Sequence, residues 1–248
     1  MRYGSRHRLS YSYSSYFPSA VKWLLISNIA IWLLSFFAVR FGSGEVFSVF
    51  ALSPRAVLGH FAIWQLVTYM FLHDPVGFGH ILFNMLTLWM FGMDLERDWG
   101  SRRFLKYYFL CGIGAGICDV TANALIHNLD TRTIGASGAI YGLLLAFGVC
   151  FPDQTVLMGF LFPIKAKYMV MIYAGVELLM SMGVNSGVSN IAHLGGMVVG
   201  FVYLKSRLPG LRIKVPDWRG AYRQWKLQRA KKKFQVYMKK HDRGPWVN

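Results

Sequence analysis

The sequence predicts an all-α integral membrane protein, a bundle of six transmembrane helices. Three observations carry that reading. The chain is 54% hydrophobic and only 15% charged over 248 residues, far more apolar than an ordinary soluble domain. Its apolar residues fall into six separated segments, several of them about 17 to 20 residues long, the length a helix needs to cross roughly 30 Å of hydrocarbon. Basic residues collect in alternate connections, as the positive-inside rule requires.

Taken in order, residues 1–20 form a polar, basic arm, and Arg2, Arg6, Arg8 and Lys22 favour a cytoplasmic N-terminus. The first span, Val21 to Val39, is too long for a signal-peptide core and no small-residue cleavage site follows it, so it reads as retained. Between Arg40 and Gly79 lies a long connection with turn signals at FGSGE and SPRA. Its apolar stretch Phe61 to Leu72 is too short to span, which predicts an interfacial or partly inserted element with Trp64 and Tyr69 at headgroup level.

The second span runs from His80 to Leu95, the third from Phe104 to Ile126 and the fourth from Ser137 to Phe151. The fifth runs from Tyr168 to Met182 and the sixth from Ile191 to Leu204. Arg97, Arg102, Arg103 and Lys106 follow span two, and Lys165 and Lys167 follow span four; the loop after span three has only Arg132, and Gly183 to Asn190 after span five is uncharged. Both termini are therefore expected in the cytoplasm. The compact six-span form and the absence of transit features suggest a bacterial inner membrane.

The expected domains are the arm, 1–20, a membrane domain, 21–207, and a basic cytoplasmic tail, 208–248. Between Lys205 and Arg243 stand 14 of the 27 Lys and Arg residues, the source of most of the net charge of +16. A juxtamembrane position points such charge at anionic lipid headgroups, and no recognisable nucleic-acid module accompanies it. The tail interleaves Trp218, Tyr222, Trp225, Phe234 and Tyr237 with basic residues, which suits a helix on a membrane surface as well as a solvated tail. Cys111, Cys118 and Cys150 all lie in apolar segments and make no disulfide framework.

The chemistry centres on Thr133 to Gly142, TIGASGAIYG, where Ser137 stands among small residues at the start of an apolar helix. Ser, Gly and Ala are also the ordinary residues of close helix contacts in membranes. The topology, however, brings three polar groups to one depth near the outer face: His80 with Asn84, Ser137 with Tyr141, and His193. Each pair is spaced i, i+4, on one helix face. Such an inventory can perform acyl transfer, with Ser137 as nucleophile and His193 as its base. His80, Asn84 and backbone N–H groups near Ser137 can then stabilise an oxyanion. No acid is spaced to orient the imidazole, so a dyad is expected. Gly196 and Gly200 in span six face Gly138 and Gly142 as a packing pair that would draw the histidine to the serine. No cofactor or metal is called for.

Gly135, Ser137 and Gly138 as G-x-S-G, His80 and Asn84 as H-x-x-x-N, and Ala192, His193, Gly196 and Gly200 as A-H-x-x-G-x-x-x-G resemble the motifs of rhomboid intramembrane serine proteases. The resemblance covers about Val21 to Arg207. It implies a rhomboid-like bundle in which Ser137 is the nucleophile, His193 the base, and His80 and Asn84 the oxyanion groups. It further implies that the Tyr141 ring stacks beneath His193, that the connection before His80 is a partly inserted loop, and that Glu96 makes structural hydrogen bonds. Gln65 stands after Trp64, where some members carry an arginine. Substrates would be transmembrane proteins, opened where small or helix-relaxing residues expose a peptide carbonyl. Span five, with Gly183 and Gly187 in its outer loop, is the expected lateral gate.

Other hydrolase patterns are absent: Ala139 breaks the G-x-S-x-G elbow and there is no H-E-x-x-H. Two rivals come from other classes. Asp119 in span three and Glu177 in span five are intramembrane acids of the kind found in proton-coupled transporters, although no internal repeat supports one and both also read as hydrogen-bonded structural groups. A client-binding protein of the same fold would dispense with the serine or the histidine, and both are present.

Overall fold

A computed structural model describes residues 17–158, 161–181, 189–207 and 218–241. The arm up to residue 16, the loop holding Gly183 and Gly187, and residues 208–217 and 242–248 of the tail lie outside the described residues. The chain divides into two compact units, Met1–Pro209 and Gly210–Asn248.

In the first unit each of the six apolar segments folds as a helix. These are α1 (Ser19–Arg40), α4 (Phe78–Trp99), α5 (Ser101–Leu125), α6 (Ser137–Cys150), α7 (Ala166–Ser181) and α8 (Asn190–Arg207). Among the described residues, α1 and α5 are long and apolar enough to cross a membrane unaided, and α6 is apolar but shorter. The polarity is that of a bilayer protein. Trp23, Leu34, Phe83, Leu179 and Val202 point outward and are well exposed, while Asn28, Asn84, Glu96, Asp119, Glu177 and His193 are buried. The fold is almost wholly helical and fits an all-α membrane architecture; among the described residues the strands form one hairpin, of β1 (Thr155–Met158) and β2 (Phe162–Lys165), Thr155 pairing with Lys165.

Helices α5, α6 and α8 pack most closely on one another, and α1 leans on α4. Small residues permit the first arrangement. A Cβ on Gly196 would overlap the Gly138 carbonyl, and one on Gly142 would lie 2.5 Å from Cys111 Sγ. Gly196 thus meets Gly138 as its spacing predicts. The nearest neighbour of Gly200 is Tyr107 of α5, whose hydroxyl donates to the Gly142 carbonyl at 2.9 Å and fills the gap between the helices.

The join of α1 to α4 is made by Glu96, 3% exposed. Its carboxylate accepts the N–H groups of Ala20 and Val21 at 2.9 and 2.8 Å and the Ser101 hydroxyl at 2.6 Å. No side chain of α1 caps its own N-terminus, so the distant acid satisfies donors that a helix start leaves free.

The connection before α4 contains a 3₁₀ turn (Gly44–Phe50), α2 (Pro54–His60), the short α3 (Gln65–Thr68) and a second 3₁₀ turn (Tyr69–Phe71). Pro54 opens α2 at a position where its missing N–H costs nothing. Gln65 braces this connection from inside, accepting the Ser53 N–H at 3.0 Å and donating to the Val49 carbonyl at 3.0 Å. Trp64 is half exposed and donates to Val49. Tyr69 departs from its expected place at the headgroups: it is 1% exposed, its hydroxyl donating to the Gly112 carbonyl at 2.7 Å. The 3₁₀ turn aims it inward, where Gly116 and Gly138 leave room for its side chain.

In the second unit, α9 (Trp218–His241) carries Tyr222, Trp225, Phe234 and Tyr237 exposed along a strongly basic helix, with Arg229 over the Trp225 ring at 5.0 Å.

Candidate active site

The serine is positioned by the loop that precedes it. Residues 126–136 are stitched to the earlier connection by an antiparallel bridge of Leu52 with Thr133, N–H to carbonyl at 3.0 and 2.9 Å. Arg55 grips Asp130 through two bonds of 2.6 and 2.8 Å, and these hydrogen bonds, with the guanidinium charge, hold the Asp130 carboxyl below its ordinary range. Gly135 N–H then donates to the Tyr69 carbonyl at 2.9 Å. With φ of +120° Gly135 occupies a conformation that L side chains avoid, and a Cβ there would stand 2.9 Å from His80 Nε2. This turn delivers Ser137 to the first position of α6, where the N–H groups of the opening turn have no acceptor within the helix.

The histidine is positioned by the start of α8. Ser189, just ahead of the helix, accepts the Ala192 N–H on its hydroxyl at 3.1 Å and the His193 N–H on its carbonyl at 3.2 Å. Its hydroxyl donates in turn to Asp119. The other Asp119 oxygen accepts the Thr133 hydroxyl at 2.8 Å. One buried carboxylate on α5 therefore holds residues lying four positions before Ser137 and four before His193.

Between these supports, His193 Nε2 lies 2.7 Å from Ser137 Oγ. The Tyr141 ring stacks on the imidazole at 4.2 Å between centroids and 11° between planes. Glu177 changes the expectation that no acid reaches the imidazole: its Oε2 stands 3.0 Å from His193 Nδ1. The approach lies outside aligned hydrogen-bond geometry, and neither atom has an aligned hydrogen-bond partner among the described residues. The second Glu177 oxygen accepts the Tyr141 hydroxyl. Sequence spacing could not show this contact, because it depends on the rotation of α7 against α6 and α8; the residue type alone, an acid in an apolar helix, was the available signal. Ser189 and Thr133 escaped notice for a similar reason, although a serine ahead of a helix is an N-cap signal.

His80 and Asn84 line the same cavity of about 850 Å³ as Ser137 and His193, with Phe83, Phe91, Ile140 and Leu144 as apolar walls. In the resting site the Asn84 amide donates to the His80 carbonyl at 2.8 Å, and His80 Nδ1 accepts the Asp74 N–H at 3.4 Å. Chemically the arrangement offers a hydroxyl beside a base, nearby donors for a developing oxyanion, and an apolar trough in which charge interactions are strong. Among the described residues no group of three or more His, Cys, Asp or Glu is gathered as a metal site.

The Rhomboid domain family model matches residues 60–209. The chain is 32% identical over 181 residues to Rhomboid protease GluP of Bacillus subtilis, a match covering 70% of this chain and 32% of that protein. It is 36% identical over 141 residues to Putative rhomboid protease YdcA of the same organism, covering 56% and 64%, and 28% identical over 229 residues to RHOMBOID-like protein 4 of Arabidopsis thaliana, covering 81% and 55%. It thus spans between about a third and just under two-thirds of the length of these relatives.

Proposed function

The chain belongs to the rhomboid family, and from that premise we propose that it is an intramembrane serine endopeptidase hydrolysing peptide bonds in or near transmembrane segments of other membrane proteins. The observation that carries the proposal is the 2.7 Å approach of His193 Nε2 to Ser137 Oγ beside an apolar cavity. Relatives named as proteases support it.

Ser137 Oγ attacks the scissile carbonyl carbon while His193 Nε2 takes its proton, forming a C–O bond and a tetrahedral oxyanion. Backbone N–H groups at the start of α6, with His80 and Asn84, stabilise that oxyanion; Asn84 must turn its amide from its own helix to do so. Collapse breaks the C–N bond as the imidazolium returns the proton to the leaving amine. Water from the outer face then hydrolyses the acyl-enzyme by the same base. Tyr141 supports the imidazole, Gly135 keeps the space between His80 and Ser137 open, and Gly138 lets α6 approach Ala115 of α5.

In this reading α1 and α4 to α8 are six spans with both termini cytoplasmic, in the inner membrane of a bacterium. The domains are 1–20, 21–207 and 208–248, and the partners are transmembrane substrates and the bilayer, with no nucleic acid. Both intramembrane acids have protein partners, Asp119 on Thr133 and Ser189 and Glu177 on Tyr141 and His193, which favours the protease over a transporter.

The test is cleavage of a single-span substrate in liposomes, with fluorophosphonate labelling in parallel. Wild type should cut and label, and Ser137→Ala and His193→Ala should lose at least about 10⁴-fold in rate. An inert wild type whose Ser137 never labels would return the site to a client-binding role.

A further inference from the structure

We propose that Glu177 is the positioning acid of His193, so that the working unit is Ser137–His193–Glu177 and not a serine and histidine alone. The inference rests on the protease reading above and goes beyond the pair that reading requires.

Three contacts and the burial of the pair carry it. Glu177 Oε2 lies 3.0 Å from the histidine nitrogen facing away from the serine. Both side chains are buried, at 8% and 9% exposure, so a charge there costs stability unless it is matched. The remaining carboxylate oxygen accepts the Tyr141 hydroxyl, and the same tyrosine's ring lies flat on the imidazole. Three groups thus fix the imidazole: the serine at Nε2, the acid at Nδ1 and the tyrosine face. Tyr141 links the acid to the imidazole, since it holds Glu177 with its hydroxyl and His193 with its ring.

A carboxylate at Nδ1 favours the tautomer with the proton on Nδ1, which leaves the Nε2 lone pair free for the serine proton. As attack proceeds and the imidazolium forms, the carboxylate meets that new charge inside an apolar bundle, where the interaction is strong. The misaligned angle in the resting site suits such a role, because catalytic hydrogen bonds often align only with substrate bound. A merely structural acid would have no cause to place one oxygen against the base and the other against the ring that supports it.

The experiment uses the full chain in liposomes, with kcat and KM measured on a single-span substrate and the rate of Ser137 labelling by a fluorophosphonate. Glu177→Gln keeps the shape and removes the charge. It should lower kcat and the labelling rate together by about 10²-fold, with KM within about twofold of wild type. Glu177→Asp keeps the acid one methylene short and should fall between. Wild-type kcat in Glu177→Gln, or a change confined to KM and thermal stability, overturns the proposal. Should Glu177→Gln fail to fold, Glu177→Asp decides alone, and a full rate there overturns it. A wild type that neither cuts nor labels overturns the protease reading, and the positioning role with it.

Discussion

Gly196 shows how much of the site hangs on single atoms. Its hypothetical Cβ meets the carbonyl of Gly138, which is backbone and cannot swing aside. Gly196→Ala must therefore part α6 from α8, and with them Ser137 from His193, whose 2.7 Å contact leaves no slack. Displacements of about 1 Å at a reacting pair can cost about 10²-fold in rate. We expect Gly196→Ala to lose at least that in cleavage, with weaker fluorophosphonate labelling and a lower melting temperature. Gly175 is the control. A Cβ there meets nothing within 4 Å, so Gly175→Ala should keep full activity and hold or gain up to about 1 kcal/mol in stability from helix propensity.

At the scale of elements, the helices were legible and their mutual rotation was not. Long apolar runs ending in charge, such as the one closing at Glu96, Arg97 and Asp98, mark helices by length alone. In a bilayer the outer face is as apolar as the inner, so polarity does not say which side of α7 turns inward. The contact of Glu177 with His193 was hidden for that reason, while Ser137, His193, His80 and Asn84 were singled out because their motifs share one depth, and all four line one cavity. Asp119 reads from the sequence as a hydrogen-bonded structural acid, and its partners emerge only when Thr133 and Ser189 arrive on it from two elements. Asp119→Ala should loosen the serine loop and the start of α8 together. We expect a drop of about 10-fold or more in kcat and a stability loss of roughly 1–3 kcal/mol from the orphaned hydroxyls, read by substrate cleavage and thermal unfolding. Unchanged kcat in that variant would mean that the two elements hold their places without the carboxylate.

At the scale of the whole molecule, the site belongs to one unit. Every group placed around Ser137 lies within Met1–Pro209, and the family match closes at residue 209, where that unit ends. The composition also shifts after the last apolar segment, where the tail trades apolar runs for basic residues. Helix α9 carries nine Lys and Arg and no acid, a charge pattern that anionic headgroups attract and salt screens. Chemistry and surface attraction should then separate on truncation. A chain ending at Pro209, reconstituted in zwitterionic lipid, should cleave a single-span substrate within about threefold of the full chain, since every group placed around Ser137 lies in the first unit. In vesicles rich in anionic lipid the two chains should diverge at low salt and converge as ionic strength rises. A loss of more than about 10-fold in zwitterionic lipid would instead make the tail part of the catalytic unit, because neither headgroup charge nor salt could then account for it.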